Sequence, residues 1–154
     1  MTAANATPEL QILIVDDDQL VRNFAVNTIE YGTNCKVATF GSGFQAWQFI
    51  QSRPDNVDIV IADANIPDMD GLELLAEVKQ AYPEKIFIIT TSNPAFEKSA
   101  HRLGADALLS KPYDVNDLFA VVQNYCNSDT APKNNKIKAF PNSDARKSDT
   151  VNQP

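Results

Sequence analysis

Cysteine is scarce in this chain: 154 residues hold two, Cys35 and Cys126. Two cannot build a disulfide framework, and neither lies in a metal-type spacing. Both are read as reduced thiols acting as small buried apolar residues. Histidine is scarcer still, with His101 alone. A phosphodonor histidine needs exposure on a helical bundle, so His101 is read as a surface helix residue. No apolar run approaches the roughly 20 residues of a membrane-spanning helix. Residues 1–8 carry neither the basic region nor the apolar core of a secretory signal. The expectation is a cytoplasmic protein without membrane contact. Basic residues are the minority, 13 Lys/Arg against 20 Asp/Glu, for a net charge of -7. Such a balance disfavours direct binding to nucleic acid.

Hydrophobic residues make up 44% of the chain, enough for a packed core. The length suits one domain plus a tail. Residues 1–9 form a polar, Ala-rich lead-in. Residues 10–126 alternate short apolar runs with amphipathic stretches. Leu20, Val21, Phe24, Ala25 and Thr28 mark one helical face; Phe44, Trp47 and Ile50 mark a second. Leu74, Leu75, Val78, Ala81 and Tyr82 mark a third, and Val115, Leu118, Phe119, Val122, Tyr125 and Cys126 the last. A weaker helix runs from near Pro94 to Gly104, starting late or distorted. Asp114 is the expected N-cap of the last helix. Residues 127–154 hold few large apolar side chains and read as a disordered tail or linker. They carry five Lys/Arg and three Asp/Glu, a net +2, which leaves -9 on residues 1–126.

The apolar runs are Ile12–Val15, a stretch around Cys35–Phe40, Val57–Ala62, Ile86–Thr90 and Ala107–Ser110. Ile12–Val15 and Ile86–Ile89 are apolar at every position, as in strands covered on both faces. Five βα units predict an α/β protein with a parallel sheet and helices on both sides. The expected fold is flavodoxin-like and doubly wound, (βα)5, with strand order 2-1-3-4-5.

In such sheets ligands bind beyond the carboxyl ends of the strands. Asp16, Asp17 and Asp18 close the first run and Asp63 closes the third. Thr91 closes the fourth, and Lys111-Pro112 follows the fifth. Clustered carboxylates repel, and a divalent cation removes that penalty. Oxygen-only ligands favour Mg2+ or Mn2+ over zinc. Asp17 and Asp63 are candidates for direct ligands, Asp16 for a ligand through water, and Asn65 for its backbone carbonyl. A carboxylate can serve as nucleophile and form an acyl phosphate. Lys111 and a hydroxyl from Thr91 are placed to meet the phosphoryl oxygens. Asn65 and Asn93 are candidates to flank an attacking water. Asp68 and Asp70 read as turn residues before Gly71.

The segments Ile12–Asp18, Val57–Gly71 and Gly104–Tyr113, in this order, resemble the receiver domains of bacterial two-component response regulators, including the CheY-like proteins. The resemblance covers roughly residues 10–126. It implies Asp63 as phosphoacceptor, with Mg2+ held by Asp16, Asp17, Asp63 and the Asn65 carbonyl. It implies Thr91 as the switch hydroxyl, with Thr90 adjacent to it, and Lys111 as the phosphoryl contact. It also implies a cis Lys111-Pro112 bond. The family's switch aromatic falls at Leu108 here, so switching by an aromatic is not expected. Tyr113, after Lys-Pro, is expected to pack structurally.

The implied function is phosphoryl transfer from a sensor histidine kinase or histidine phosphotransfer protein onto Asp63. The receiver catalyses its own phosphorylation and dephosphorylation without being an enzyme of turnover. A surface of the fourth helix, fifth strand and fifth helix then meets a downstream protein or output domain. Two rivals remain. A haloacid-dehalogenase-type phosphatase needs a second Asp two residues after the nucleophile, where this chain has Asn65. A docking module that never turns over has no use for a complete set of site groups.

Overall fold

A computed structural model of the chain describes residues 10–127 and 136–140. The expected lead-in, residues 1–9, falls outside the described residues. Strand β1 (Gln11–Val15) leads to helix α1 (Gln19–Gly32), then β2 (Lys36–Phe40) and α2 (Gly43–Ser52). A 3-10 turn at Pro54–Asn56 precedes β3 (Ile59–Asp63), α3 (Gly71–Ala81) and β4 (Ile86–Thr91). Helix α4 (Phe96–Arg102), β5 (Ala107–Ser110), α5 (Val115–Asn127) and β6 (Ile137–Ala139) complete the order. The sheet runs β2-β1-β3-β4-β5-β6. Its first five strands are parallel, in the expected 2-1-3-4-5 order, and β6 pairs antiparallel with β5.

Side chains alternate across a strand, so each strand feeds two cores. Leu13, Val15, Val60, Ala62, Phe87, Ile89 and Leu108 pack against α2, α3 and α4. Ile12, Ile14, Ile59, Ile61, Ile88, Ala107 and Leu109 pack against α1 and α5. Fully apolar strands therefore occupy the middle of the sheet, with one set of residues on each face. Cys35 and Cys126 are free, with their sulfurs 3.5 Å apart where α5 meets the start of β2. Burial, with the neighbouring Cys35, pushes the Cys126 thiol up to about 12.

The helix faces differ from the sequence reading at their N-terminal ends. Leu20 is 77% exposed and Phe44 is 55% exposed, while Ala25, Ile29, Ala46 and Ile50 are buried. Helix α3 buries Leu74, Leu75 and Val78 as expected. Helix α4 is seven residues long and starts late. Gly104 follows its C-cap Leu103, with a φ of +102° that is strained for any side chain. Asp114 accepts from the Asp117 N–H at 2.9 Å while Asp117 accepts from the Asp114 N–H at 2.8 Å, a reciprocal cap at the start of α5.

Strand β6 falls within residues 127–154, the segment whose composition reads as a disordered tail or linker. Residues 137–139 are a strand, and Ile137 is buried in the core on the α1–α5 face. The edge of β5 supplies the partner that composition alone does not reveal. The remaining residues of that segment beyond Asn127 and Phe140 lie outside the described residues.

Candidate phosphoacceptor site

The carboxyl ends of β1, β3 and β5 meet at one rim. Asp16, Asp17 and Asp63 each offer an oxygen, and these atoms lie within 4.8 Å of one another. Asp16 is 2% exposed and Asp63 8% exposed, while Asp17 faces solvent. Gly71 lets α3 approach the end of β3. A Cβ there would stand 2.2 Å from the Asp63 carbonyl oxygen.

Lys111 enters from beyond β5, after a cis bond to Pro112. Its Nζ donates to Asp63 Oδ2 at 2.7 Å and to Asp16 Oδ2 at 3.1 Å. Burial presses this ammonium towards neutrality. The hydrogen bond to Asp63 and the charges of Asp16 and Asp63 outweigh burial, and the lysine ends above its usual pKa. Burial likewise raises the Asp16 carboxyl, against the opposing pull of the Asp18 N–H and Lys111. Asp63 Oδ1 accepts from the Asn65 N–H at 3.0 Å. Asp18 stands apart from this cluster as the N-cap of α1, accepting from the Leu20 N–H at 2.9 Å.

Thr91 does not share the site's face of the sheet. Asp63 has Thr90 as its Cα partner on β4. Thr90 shares its parity with Ile88, and Lys111 with Leu109, both in the α1–α5 core; Thr91 shares its parity with Phe87 and Ile89 on the other face. The Thr91 hydroxyl is also committed, accepting from the Asn93 N–H at 3.0 Å. Asn93 in turn uses its side-chain oxygen to hold the Ala95 N–H at 2.9 Å, ahead of α4. Its side chain supports the β4–α4 turn.

Asp68 and Asp70 do more than turn the chain. Asp70 and Glu73 form a capping box on α3. Asp68 caps α2 from another segment: it accepts from the Ser42 hydroxyl and from the Gly43 and Phe44 N–H groups, as well as from Met69 N–H. The Ser42 hydroxyl, then these amides, hold its carboxyl at about 2. A carboxyl depressed when folded stabilises the protein above its unfolded value of about 3.9. That contribution is lost as pH falls towards 2. We expect Asp68→Asn to lower the melting temperature by a few degrees at pH 7, with the gap to the parent closing at pH 2 to 3. Thermal scans across pH check it; a gap that stays constant refutes the charge account.

Comparison with known proteins agrees with this geometry. The family model of the response regulator receiver domain matches residues 12–123. The transcriptional regulator NtrC of Azospirillum brasilense is 31% identical over 124 residues, covering 79% of this chain and 25% of that protein. The heme response regulator HssR of Staphylococcus epidermidis is 31% identical over 121 residues, covering 75% of this chain and 53% of that one. The chain thus spans a quarter to about half the length of these relatives. The receiver domain of a Pseudomonas fluorescens Pf-5 HD-domain protein superposes with a TM-score of 0.72 at 28% identity, covering 79% of this chain and 97% of that one. Strand order, rim chemistry and family match converge, and the chain belongs to the response regulator receiver domain family.

Proposed function

We propose that Asp63 accepts a phosphoryl group from a phosphohistidine on a sensor histidine kinase or a histidine phosphotransfer protein. The observation that supports it most is Lys111 bridging the buried Asp16 and Asp63 at a strand-end rim. An Asp63 oxygen attacks phosphorus, the P–N bond breaks, and the electron pair leaves with the donor imidazole. Lys111 keeps its proton and stays beside the phosphoryl oxygens, offsetting their charge. Asp16, Asp17 and Asp63, with the Asn65 backbone carbonyl, would hold Mg2+; three close carboxylate oxygens suit a hard cation. Such an ion supplies neutralisation of phosphoryl charge. The same groups serve the later attack of water on the acyl phosphate, so the module resets itself.

The donor must reach Asp63. An open groove of about 570 Å³ lies beside Lys111, lined by Leu20, Val21, Phe24, Pro112 and Tyr113 among others. An apolar surface at the lip of a polar site suits a docking protein. The net acidity of the body speaks for a protein partner in the cytoplasm, with nucleic acid contacted only through any output module.

Register supports Thr90 rather than Thr91 as the switch hydroxyl. A lost hydrogen bond to the charged phosphoryl group is worth about 1.5–3 kcal/mol, which moves a two-state equilibrium by roughly 10- to 150-fold. Thr90→Ala is expected to keep the adduct but lose most of its effect on amide shifts in α4 and β5. Thr91→Ala is expected to retain that effect. The opposite ranking by NMR returns the role to Thr91.

Incubation with Mg2+ and acetyl phosphate, followed by intact mass and peptide mapping, tests the main reading. One phosphoryl group on the peptide holding Asp63 is the expected result. An adduct elsewhere, or none from either acetyl phosphate or a phosphohistidine donor, refutes it.

A further inference from the structure

An exposed edge strand invites pairing, and proteins cover such edges. Here the edge of β5 is covered by the chain's own residues 136–140. Ile137 is 9% exposed against the α1–α5 core. The Ser110 N–H donates to the Lys136 carbonyl at 2.8 Å, and the Phe140 N–H to the Asp106 carbonyl at 2.9 Å. Lys136 reaches the buried Asp117 on α5 at 3.1 Å. Lys138 reaches Glu97 on α4 at 3.1 Å. Phe140 stacks on His101 of α4, with ring centroids 4.6 Å apart and planes 8° apart. One short segment thus touches α4, β5 and α5 together.

The same segment is tied to the acidic rim through the sheet. Asp63, Thr90, Leu109 and Ile137 are successive Cα partners across β3, β4, β5 and β6. Next along β5, the Lys111 N–H donates to the Thr91 carbonyl at 2.8 Å while its Nζ holds Asp63. On the phosphoacceptor reading, a phosphoryl group on Asp63 would offer Lys111 and the neighbouring Thr90 hydroxyl a new acceptor. Both flank the stretch of β5 that Ile137 pairs with.

We propose that the β5 edge, with α4 and α5, is a strand-docking surface occupied in cis by residues 136–140, and that phosphorylation of Asp63 loosens this segment so that an extended partner strand takes its place. The gating half rests on the phosphoacceptor reading above. The chemistry of the partner is that of the resident: basic–apolar–basic–small–aromatic, pairing antiparallel with β5. Its basic residues meet Asp117 and Glu97, its apolar residue fills the Ile137 site, and its aromatic ring stacks on His101. Main-chain pairing supplies affinity and the alternate side chains supply specificity.

Hydrogen exchange on the full chain tests this, with intact mass reporting the adduct in parallel. The peptide covering residues 136–140 is expected to be protected in Mg2+ alone and to exchange about tenfold faster or more once phosphorylated. Unchanged exchange at full adduct overturns the gating. Ile137→Asp, and the gentler Lys138→Glu facing Glu97, are expected to free the segment without phosphorylation. A labelled peptide Lys-Ile-Lys-Ala-Phe is then expected to bind Ile137→Asp at least about tenfold more tightly than the unphosphorylated parent. Equal binding to both, with the segment shown to be free in the variant, overturns the docking surface. Absence of any adduct sinks the phosphoacceptor reading and the gating with it, while the two variants still decide what the β5 edge does.

Discussion

Asp63→Asn is expected to take up no phosphoryl group from acetyl phosphate in Mg2+, where the parent takes up one. The amide is isosteric with the carboxylate but is not a nucleophile at neutral pH. The variant should remain folded, because the site carries a surplus of negative charge. Among the described residues, Asp16 and Asp63 pair with one ammonium, that of Lys111, and Asp17 lies beside them. Removing one carboxylate relieves repulsion and leaves Asp16 paired with Lys111 at 3.1 Å. In chelator the variant should therefore melt at or above the parent's temperature. In Mg2+ the order reverses. The parent gains stability as RT ln(1 + [Mg2+]/Kd), and the variant, short of one charged ligand, gains less. Intact mass and thermal scans with and without Mg2+ check both halves. An Asn variant that unfolds in chelator would show that Asp63 supports the fold and that lost labelling says nothing about chemistry.

Three strand ends were legible in the sequence because the runs Ile12–Val15, Val57–Ala62 and Ala107–Ser110 each stop at a charged residue that has no place in an apolar core. Asp16, Asp63 and Lys111 were readable on that basis, and the βα alternation carried the parallel order of the first five strands. Register was less accessible. Thr90 and Thr91 both end β4, and counting along one strand does not say which faces Asp63. The pairing of Asp63 with Thr90 decides it, and that is a property of two strands. Leu20 and Phe44 fit helical spacing but are exposed, because periodicity marks a face without saying how far along the helix that face is covered. Asp68 finds Ser42 across 26 residues of chain, and no local pattern marks that meeting. Strand β6 has one large apolar residue in three, Ile137 between polar neighbours. Its order comes from the β5 edge, from Asp117 and from Glu97, all supplied by other parts of the fold.

Removal of Lys111 has the opposite signature to removal of Asp63. Lys111→Met keeps the stem's length and apolar bulk but deletes the ammonium. Asp16 and Asp63 then face each other, nearly buried, with no cation between them. Deleting one partner of a buried pair typically costs about 3–5 kcal/mol, because the remaining charge has been removed from water without compensation. Asp63 retains the Asn65 N–H and Asp16 the Asp18 N–H, and Asp17 faces solvent, so a loss nearer the lower figure is expected. In chelator the variant should melt well below the parent. Mg2+ should recover more of its stability than it adds to the parent, since the ion supplies the missing positive charge among the same oxygens. Phosphorylation is a separate matter. On the proposed reading Lys111 would offset charge that develops on the phosphoryl oxygens, and removing one such preorganised group costs about 10²–10³ in rate. Mg2+ should therefore restore the fold of Lys111→Met without restoring its labelling rate. Melting curves and acetyl-phosphate kinetics on one preparation separate the two roles. Recovery of both by Mg2+ would reduce Lys111 to a structural counter-ion for Asp16 and Asp63.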